Sequence, residues 1–291
     1  MQRFLQHIMA VFAVFALIVG LWHLLFVNLF GVIDSVDSKL WLWGDSQVYA
    51  GINPDKLDHN KPVFSVADHG LGFQDLLMFS KRVPDDATAL VGFGPLYYRY
   101  NQDRSSGGLS FESIESLFRA RFDYGLDLDL YGILRRNVAE EFSVDAGSPS
   151  KHTFFKNEPN LRKRDKFIRS LGMMPDQDQF QQIFQFKDEY LFRSLDVLDT
   201  KTNTWHMLSL PLSADLEETA FNRIQQHFDS VLQEVSSRYN MPLDTLFISV
   251  AGDEFYDATH FTQSAAERVS PLVGRALTSN TKKRILIIRF R

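Results

Sequence analysis

The sequence predicts an α/β domain built on a parallel sheet and preceded by one N-terminal membrane helix. Three observations predict it. No charged residue stands between Arg3 and Asp34, and the stretch between them is almost wholly apolar. Short apolar runs then alternate with helix-period segments, the order that produces parallel strands joined by right-handed crossovers. Finally, two turns carrying reactive residue types fall directly after apolar runs, where open parallel sheets place their sites.

The elements follow in order. HIMAVFAVFALIVGLWHLLFVNLFGVI is long enough to span a bilayer, which takes about 20 apolar residues. A cleaved signal peptide would have a shorter apolar core ending at a small-x-small site, and none follows here. The expected span is about residues 8–30 of a 1–33 anchor, with His23 and Asn28 inside it. One Lys or Arg on either side leaves charge nearly silent on orientation. The short N-terminal side makes N-inside the default, with residues 34–291 outside.

KLWLWGDS reads as a buried strand and a turn. NPDKLD reads as a helix start, with Asn53 as cap and Pro54 at the first position. PVFSVAD is a second strand, GFQDLLMFSKRV a helix and ATALVGFGP a third strand. From about 97 to 200 the pattern is helical and polar, and is read as a helical insertion over the open edge of the core. Within it NLRKRDKFIRS carries a basic cluster. Such a cluster is ordinarily a solvated face; the sharper alternative is contact with acidic polymer or anionic headgroups. TWHMLSLPL is a fourth strand, LEETAFNRIQQHFDSVLQEVSSRYN an amphipathic helix and DTLFISVAGD a fifth strand. THFTQSAAERVSPLVGRAL is the last helix, with Pro271 inside it. KKRILIIRFR reads as an edge or helper strand whose basic ends discourage pairing.

Composition narrows the function. A formal net charge of -5 over 291 residues argues against a nucleic-acid partner, whose footprint is usually basic. The chain has no cysteine, which removes disulfides, thiolate metal sites and a cysteine nucleophile. No cofactor motif and no metal-ligand spacing stands out; Asp68 and His69 are adjacent and make a poor pair of ligands.

Two short pieces carry the chemistry. Gly44-Asp45-Ser46 follows the first strand, and Asp257-Ala258-Thr259-His260 stands between the fifth strand and the last helix. A serine hydroxyl is a poor nucleophile until a base takes its proton. Histidine is the usual base, and a carboxylate fixes its tautomer and stabilises the imidazolium. Each piece alone is a generic turn. Their joint placement at two strand ends points to Ser46, His260 and Asp257 acting together.

This pair resembles the signature of the SGNH/GDSL superfamily of esterases, lipases, deacetylases and acyltransferases, over Leu40 to Leu277. WGDSQVYAGINPDKLD is similar to its envelope-anchored, acyltransferase-like branch, which includes alginate-acetylation proteins and the D-alanine transfer protein of teichoic acid synthesis. YDATHFTQSAAERV is similar to the family's final block. The resemblance implies a flavodoxin-like three-layer α/β/α fold with a parallel five-stranded sheet. It implies Ser46 as nucleophile, His260 as general base and Asp257 as its partner. Gly70 in SVADHGLG holds the second-block position and, with the Ser46 amide, would bind the oxyanion; Gly72 is the lesser alternative. Such donors contribute roughly 3 kcal/mol each. The third block departs from the family. Strand three ends in GFGPLYYRYN with no asparagine in place; Asn101 comes late, and Tyr97, Tyr98 or Arg99 could substitute. Asp45, His69, Tyr97 and Tyr98 are the candidate substrate contacts, with sugar stacking open to the two tyrosines.

The expectation is a periplasm-facing serine esterase or O-acyltransferase in a bacterial inner membrane. It would act on acyl, chiefly acetyl, esters of cell-surface polysaccharide, with a membrane-bound O-acyltransferase as implied partner. The alternative is an inactive SGNH-like scaffold or glycan-binding protein of an envelope assembly complex, favoured by the missing third-block asparagine.

Overall fold

The computed structural model describes residues 2–33, 40–57, 63–67, 73–99, 111–126, 152, 154–171, 177–202, 204–213, 216, 221–249, 253–278 and 282–291. The chain divides into two compact units, Met1–Asp37 with Ser143–Ser148, and Ser38–Phe142 with Pro149–Arg291.

In the first unit, α1 runs Gln2–Ile33. Its described side chains, residues 6–21, are all exposed, and they include Met9, Val11, Phe12, Phe15 and Leu17. Among the described residues, no helix is long and apolar enough to cross a membrane.

The second unit is built on one all-parallel sheet of six strands: β1 Leu40–Trp43, β2 Val63–Ser65, β3 Thr88–Gly92, β4 Trp205–Ser209, β5 Leu243–Ile248 and β6 Lys283–Phe290. Their order is β2-β1-β3-β4-β6-β5. The inner strands β1 and β4 are buried along their length, LWLW and WHMLS. Strands covered on both faces are expected to read as continuous rather than alternating apolar runs.

Crossover handedness explains the layers. From β1 the chain steps to one edge through α2 (Ser46–Gly51) and a 3-10 turn at Pro54–Lys56. It returns through α3 (Phe73–Arg82) to β3 on the other side. It then moves on through α6 (Gln177–Lys201) to β4 and α7 (Asn222–Tyr239) to β5, before α8 (Gln263–Leu277) steps back to β6. Right-handed connections put α2 and α8 on one face, where the sense of travel is reversed, and α3, α6 and α7 on the other. The contacts divide the same way: α2 and the 3-10 turn meet α8, while α6 meets α3 and α7. Asn53 caps the 3-10 turn by accepting from the Asp55 amide, and its own amide donates to Ser270 Oγ of α8.

Three expectations need correction. The sheet has six strands, not five, and KKRILIIRFR is no edge. β6 lies between β4 and β5, and β5 is the edge. One of the basic residues that suggested an edge is used within the sheet: Arg284 is buried and donates to Asp244 of β5 at 3.0 Å. The reading of 97–200 as one helical insertion is also too broad. The described elements of that range are helical, α4 (Phe111–Phe122), α5 (Leu161–Leu171) and α6. Yet α6 is a core crossover helix that buries Ile183, Phe184, Tyr190, Leu191, Leu195 and Leu198.

α5 carries the basic cluster, with Arg162, Lys163, Lys166 and Arg169 exposed. It is tied to the strand ends by Arg99, whose guanidinium lies 4.4 Å from the Phe167 ring centroid and donates to Ser170 Oγ.

Candidate active site

Ser46 is the first residue of α2, at the carboxyl end of β1. Asp45 caps the helix, its carboxylate accepting from the Gln47 amide at 2.9 Å. Burial raises its pKa from the ordinary value, against the lowering pull of the Gln47 amide and of His260. Capping thus accounts for Asp45, which sequence reading had as a substrate contact.

Three glycines seat α2. A Cβ on Gly44 would lie 2.4 Å from Val48 Cγ2, and one on Gly92 would lie 2.1 Å from the same atom. A Cβ on Gly94 would meet Gln47 Oε1 at 2.7 Å. The helix that begins at Ser46 therefore sits in a notch cut by the Gly-Asp-Ser glycine and by the GFG that ends β3. The feature that departs from the family pattern is the one that lets Val48 and Gln47 approach the sheet.

The second piece is a tight turn between β5 and α8. An antiparallel bridge pairs Phe255 with Phe261, and the Tyr256 amide donates to the His260 carbonyl at 2.8 Å. Asp257 Oδ1 accepts from the amides of Thr259 and His260, both at 2.9 Å, an Asx-type closure that fixes the loop. Thr262 caps α8. Buried Glu254 holds the base of the turn through its carbonyl, which accepts from the Thr262 amide, and through an ion pair with Arg268.

The structure brings Ser46, His260 and Asp257 together across 214 residues of sequence. His260 Nε2 lies 3.0 Å from Ser46 Oγ. His260 Nδ1 lies 3.0 and 2.9 Å from the two carboxylate oxygens of Asp257. Burial pushes the Asp257 pKa up, but the hydrogen bond and charge of His260 and the two turn amides outweigh it and hold it at about 2. Asp257 is thus ionised at neutral pH and accepts only. Nδ1 therefore carries the imidazole proton, and Nε2 is left as the acceptor for the serine hydroxyl. Gln47 locks the two pieces in register, its Nε2 donating to the Thr259 carbonyl at 3.2 Å within the buried interior.

A third segment, 154–160, forms a wall beside the turn. The Gln263 amide donates to the Phe155 carbonyl and the Asn160 amide to the Tyr256 carbonyl. The Phe155 ring stacks on Tyr256, centroids 4.5 Å apart, and meets the His260 ring at 5.0 Å. Gln47, Gly92, Gly94 and Phe155 were not singled out from sequence. Only the glycines carried a local signal.

The other candidates fall outside this cluster. Tyr97 and Tyr98, expected as substrate contacts, are buried, 5% and 0% exposed. Tyr97 packs on Trp43 and Phe93, and the Tyr98 hydroxyl donates to Asp188 of α6 at 2.6 Å. The 3-10 turn Pro95–Tyr98 tucks both into the layer formed by α6 and α7. Asp68, His69, Gly70, Gly72 and Asn101 lie outside the described residues. His206 is a packed strand residue of β4, fully buried. His152 stacks on Tyr49 and bonds to Ser65 Oγ at 2.7 Å. Among the described residues no group of three or more His, Asp or Glu is placed to hold a metal ion.

No protein-family model matches this chain, and no curated protein matches it in sequence.

Proposed function

We propose that the chain is a membrane-anchored, periplasm-facing serine esterase or O-acyltransferase of SGNH/GDSL type. In this reading it acts on acyl, chiefly acetyl, esters of cell-surface polysaccharide in a bacterial envelope. The observation that carries it is the unbroken hydrogen-bonded series Ser46 Oγ, His260 imidazole, Asp257 carboxylate at the carboxyl end of a parallel sheet. The all-parallel α/β sheet and the two turns that match the family's signature support the family assignment.

The steps follow from the geometry. Ser46 Oγ attacks the ester carbonyl as His260 Nε2 takes its proton, and Asp257 stabilises the imidazolium. The oxyanion is met by the Ser46 amide, which as the first helical N–H has no intrahelical acceptor, and by Gly70 as the family resemblance implies. Collapse of the tetrahedral adduct expels the alcohol, which receives the proton from His260, and leaves an acyl-Ser46 ester. Water or a sugar hydroxyl then attacks that ester while His260 takes its proton. Ser46 recovers its own, and either the free acid or a new ester departs.

The anchor belongs to this proposal. Its support is the sequence: no charged residue stands between Arg3 and Asp34, a run longer than the about 20 apolar residues that a span takes. The exposed apolar side chains along residues 6–21 favour lipid contact over water. A membrane-bound O-acyltransferase would supply the acyl donor. The missing third-block asparagine favours the scaffold alternative, in which the triad geometry survives without turnover.

The test is p-nitrophenyl acetate turnover by the full chain in detergent beside its Ser46→Ala variant. The proposal expects activity that Ser46→Ala abolishes. A folded wild-type chain with no turnover, or a variant with full turnover, contradicts it.

A further inference from the structure

Asp257 grips His260 Nδ1 with both oxygens, Thr259 Oγ1 lies 3.0 Å from the same nitrogen, and Nε2 faces Ser46 Oγ at 3.0 Å. Rotation of the ring about its Cβ–Cγ bond would carry Nε2 out of line with Ser46 Oγ. The Phe155 ring packs against the imidazole, 5.0 Å away and tilted by 46°.

Phe155 is itself held from several sides. It forms a parallel bridge with Thr262, and its carbonyl accepts from the Gln263 amide at 2.9 Å. Its ring lies nearly flat on Tyr256, at 12°. Tyr256 is in turn fixed by Asn160, through its carbonyl and through its hydroxyl, which accepts from Asn160 Nδ2 at 3.0 Å. The Lys163 ammonium sits over both rings, 5.9 and 5.4 Å from their centroids. Two residues further along the same segment, Asn157 Oδ1 accepts from the Ser264 amide at the start of α8. The segment is thus fastened on both sides of the turn that carries His260.

We infer that Phe155 is a positioning residue, which holds the plane of the His260 imidazole so that Nε2 stays aimed at Ser46 Oγ. The inference rests on the reading of His260 as the base. The segment before α5 then forms part of the active site, and works through the base rather than by covering the substrate. A ring held this way gains most where reaction needs alignment, and a misplacement of about 1 Å costs about a hundredfold.

The test compares the full-length wild type with Phe155→Leu and Phe155→Tyr in two readouts. The first is kcat and KM for p-nitrophenyl acetate across pH. The second is the NMR signal of the His260 Nδ1 proton, which needs no turnover. Phe155→Leu is expected to lower kcat by roughly 10–100-fold with KM little changed, and to broaden the Nδ1 signal through faster exchange. Phe155→Tyr, which keeps the ring, is expected to restore both. A Phe155→Leu chain with wild-type kcat and a wild-type Nδ1 signal overturns the inference. So does a Phe155→Tyr chain as impaired as Phe155→Leu, because the flat ring would then not be the agent. A wild type without turnover whose Nδ1 signal still depends on Phe155 supports the positioning role and refutes the esterase reading instead.

Discussion

Gly92→Ala probes how the nucleophile is seated. The new Cβ would stand 2.1 Å from Val48 Cγ2 and 3.2 Å from the Trp43 carbonyl oxygen, whereas ordinary contact begins at 3.4 Å. Val48 must therefore retreat by about 1.3 Å, the difference between 3.4 and 2.1 Å. Val48 is buried on α2, two residues after Ser46, and Gly44 blocks it on a second side. The displacement thus passes to the helix and to Ser46 Oγ. Overpacking of this kind costs about 1–3 kcal/mol of stability. A shift of about 1 Å at the nucleophile costs about a hundredfold in kcat. Val48→Ala removes both methyl groups and leaves Val48 Cβ, 3.2 Å from the new atom, as the nearest side-chain neighbour. Alone it costs about 1–3 kcal/mol through the cavity it opens. In the double variant the two defects cancel in part, and a coupling of at least about 1 kcal/mol is expected. The assay is ester turnover and thermal unfolding of the wild type, both single variants and the double variant. Wild-type stability and kcat in Gly92→Ala, or strict additivity in the double variant, would refute the argument.

Other outcomes follow from the same geometry. Asp257→Asn keeps the shape of the turn but presents an N–H where His260 needs an acceptor; kcat at neutral pH is expected to fall by roughly 10³–10⁴-fold, and a loss below tenfold in the pH-rate profile contradicts it. Gln47→Ala strands the buried Thr259 carbonyl, which points to a loss of about 1–3 kcal/mol in denaturant unfolding, and an unchanged midpoint counts against the bridge. His206 supplies a pH test of stability. Burial first, and then the charge of Arg284, lower its pKa from 6.5 to about 4. The folded chain thus keeps it neutral where the unfolded chain takes a proton. Its stabilising effect is full above pH 6.5 and declines as pH falls towards about 4, by up to about 3 kcal/mol. His206→Leu is expected to flatten the Tm profile over that window, and a slope as steep as wild type would exclude His206 as its source.

The second unit was largely legible because its signals are local. LWLW is a continuous apolar run, as a strand buried on both faces is expected to be, and Asn53-Pro54 announced a helical turn by capping chemistry. The meeting of Ser46 with His260 was legible because each half is a short motif tied to a strand end. What escaped depends on pairs far apart in sequence. Arg284 looked like an edge charge until Asp244 stood beside it on the next strand. Tyr97 and Tyr98 looked like sugar platforms because burial by α6 and α7 cannot be read from the dipeptide. GFG at the end of β3 looked like a defective motif because its fit to Val48 and Gln47 spans about forty-five residues of sequence. Phe155 stands in the aromatic pair Phe154-Phe155, which reads as ordinary packing until the turn that Phe155 packs on is folded.

The most direct test of the central claim is fluorophosphonate labelling of the full chain, with the modified peptide identified by mass spectrometry and His260→Ala run in parallel. The account expects covalent label on Ser46 and on no other serine, lost or slowed by at least a hundredfold without the imidazole. Absence of label on a folded chain, or label that persists undiminished in His260→Ala, would show that Ser46 is not an activated nucleophile.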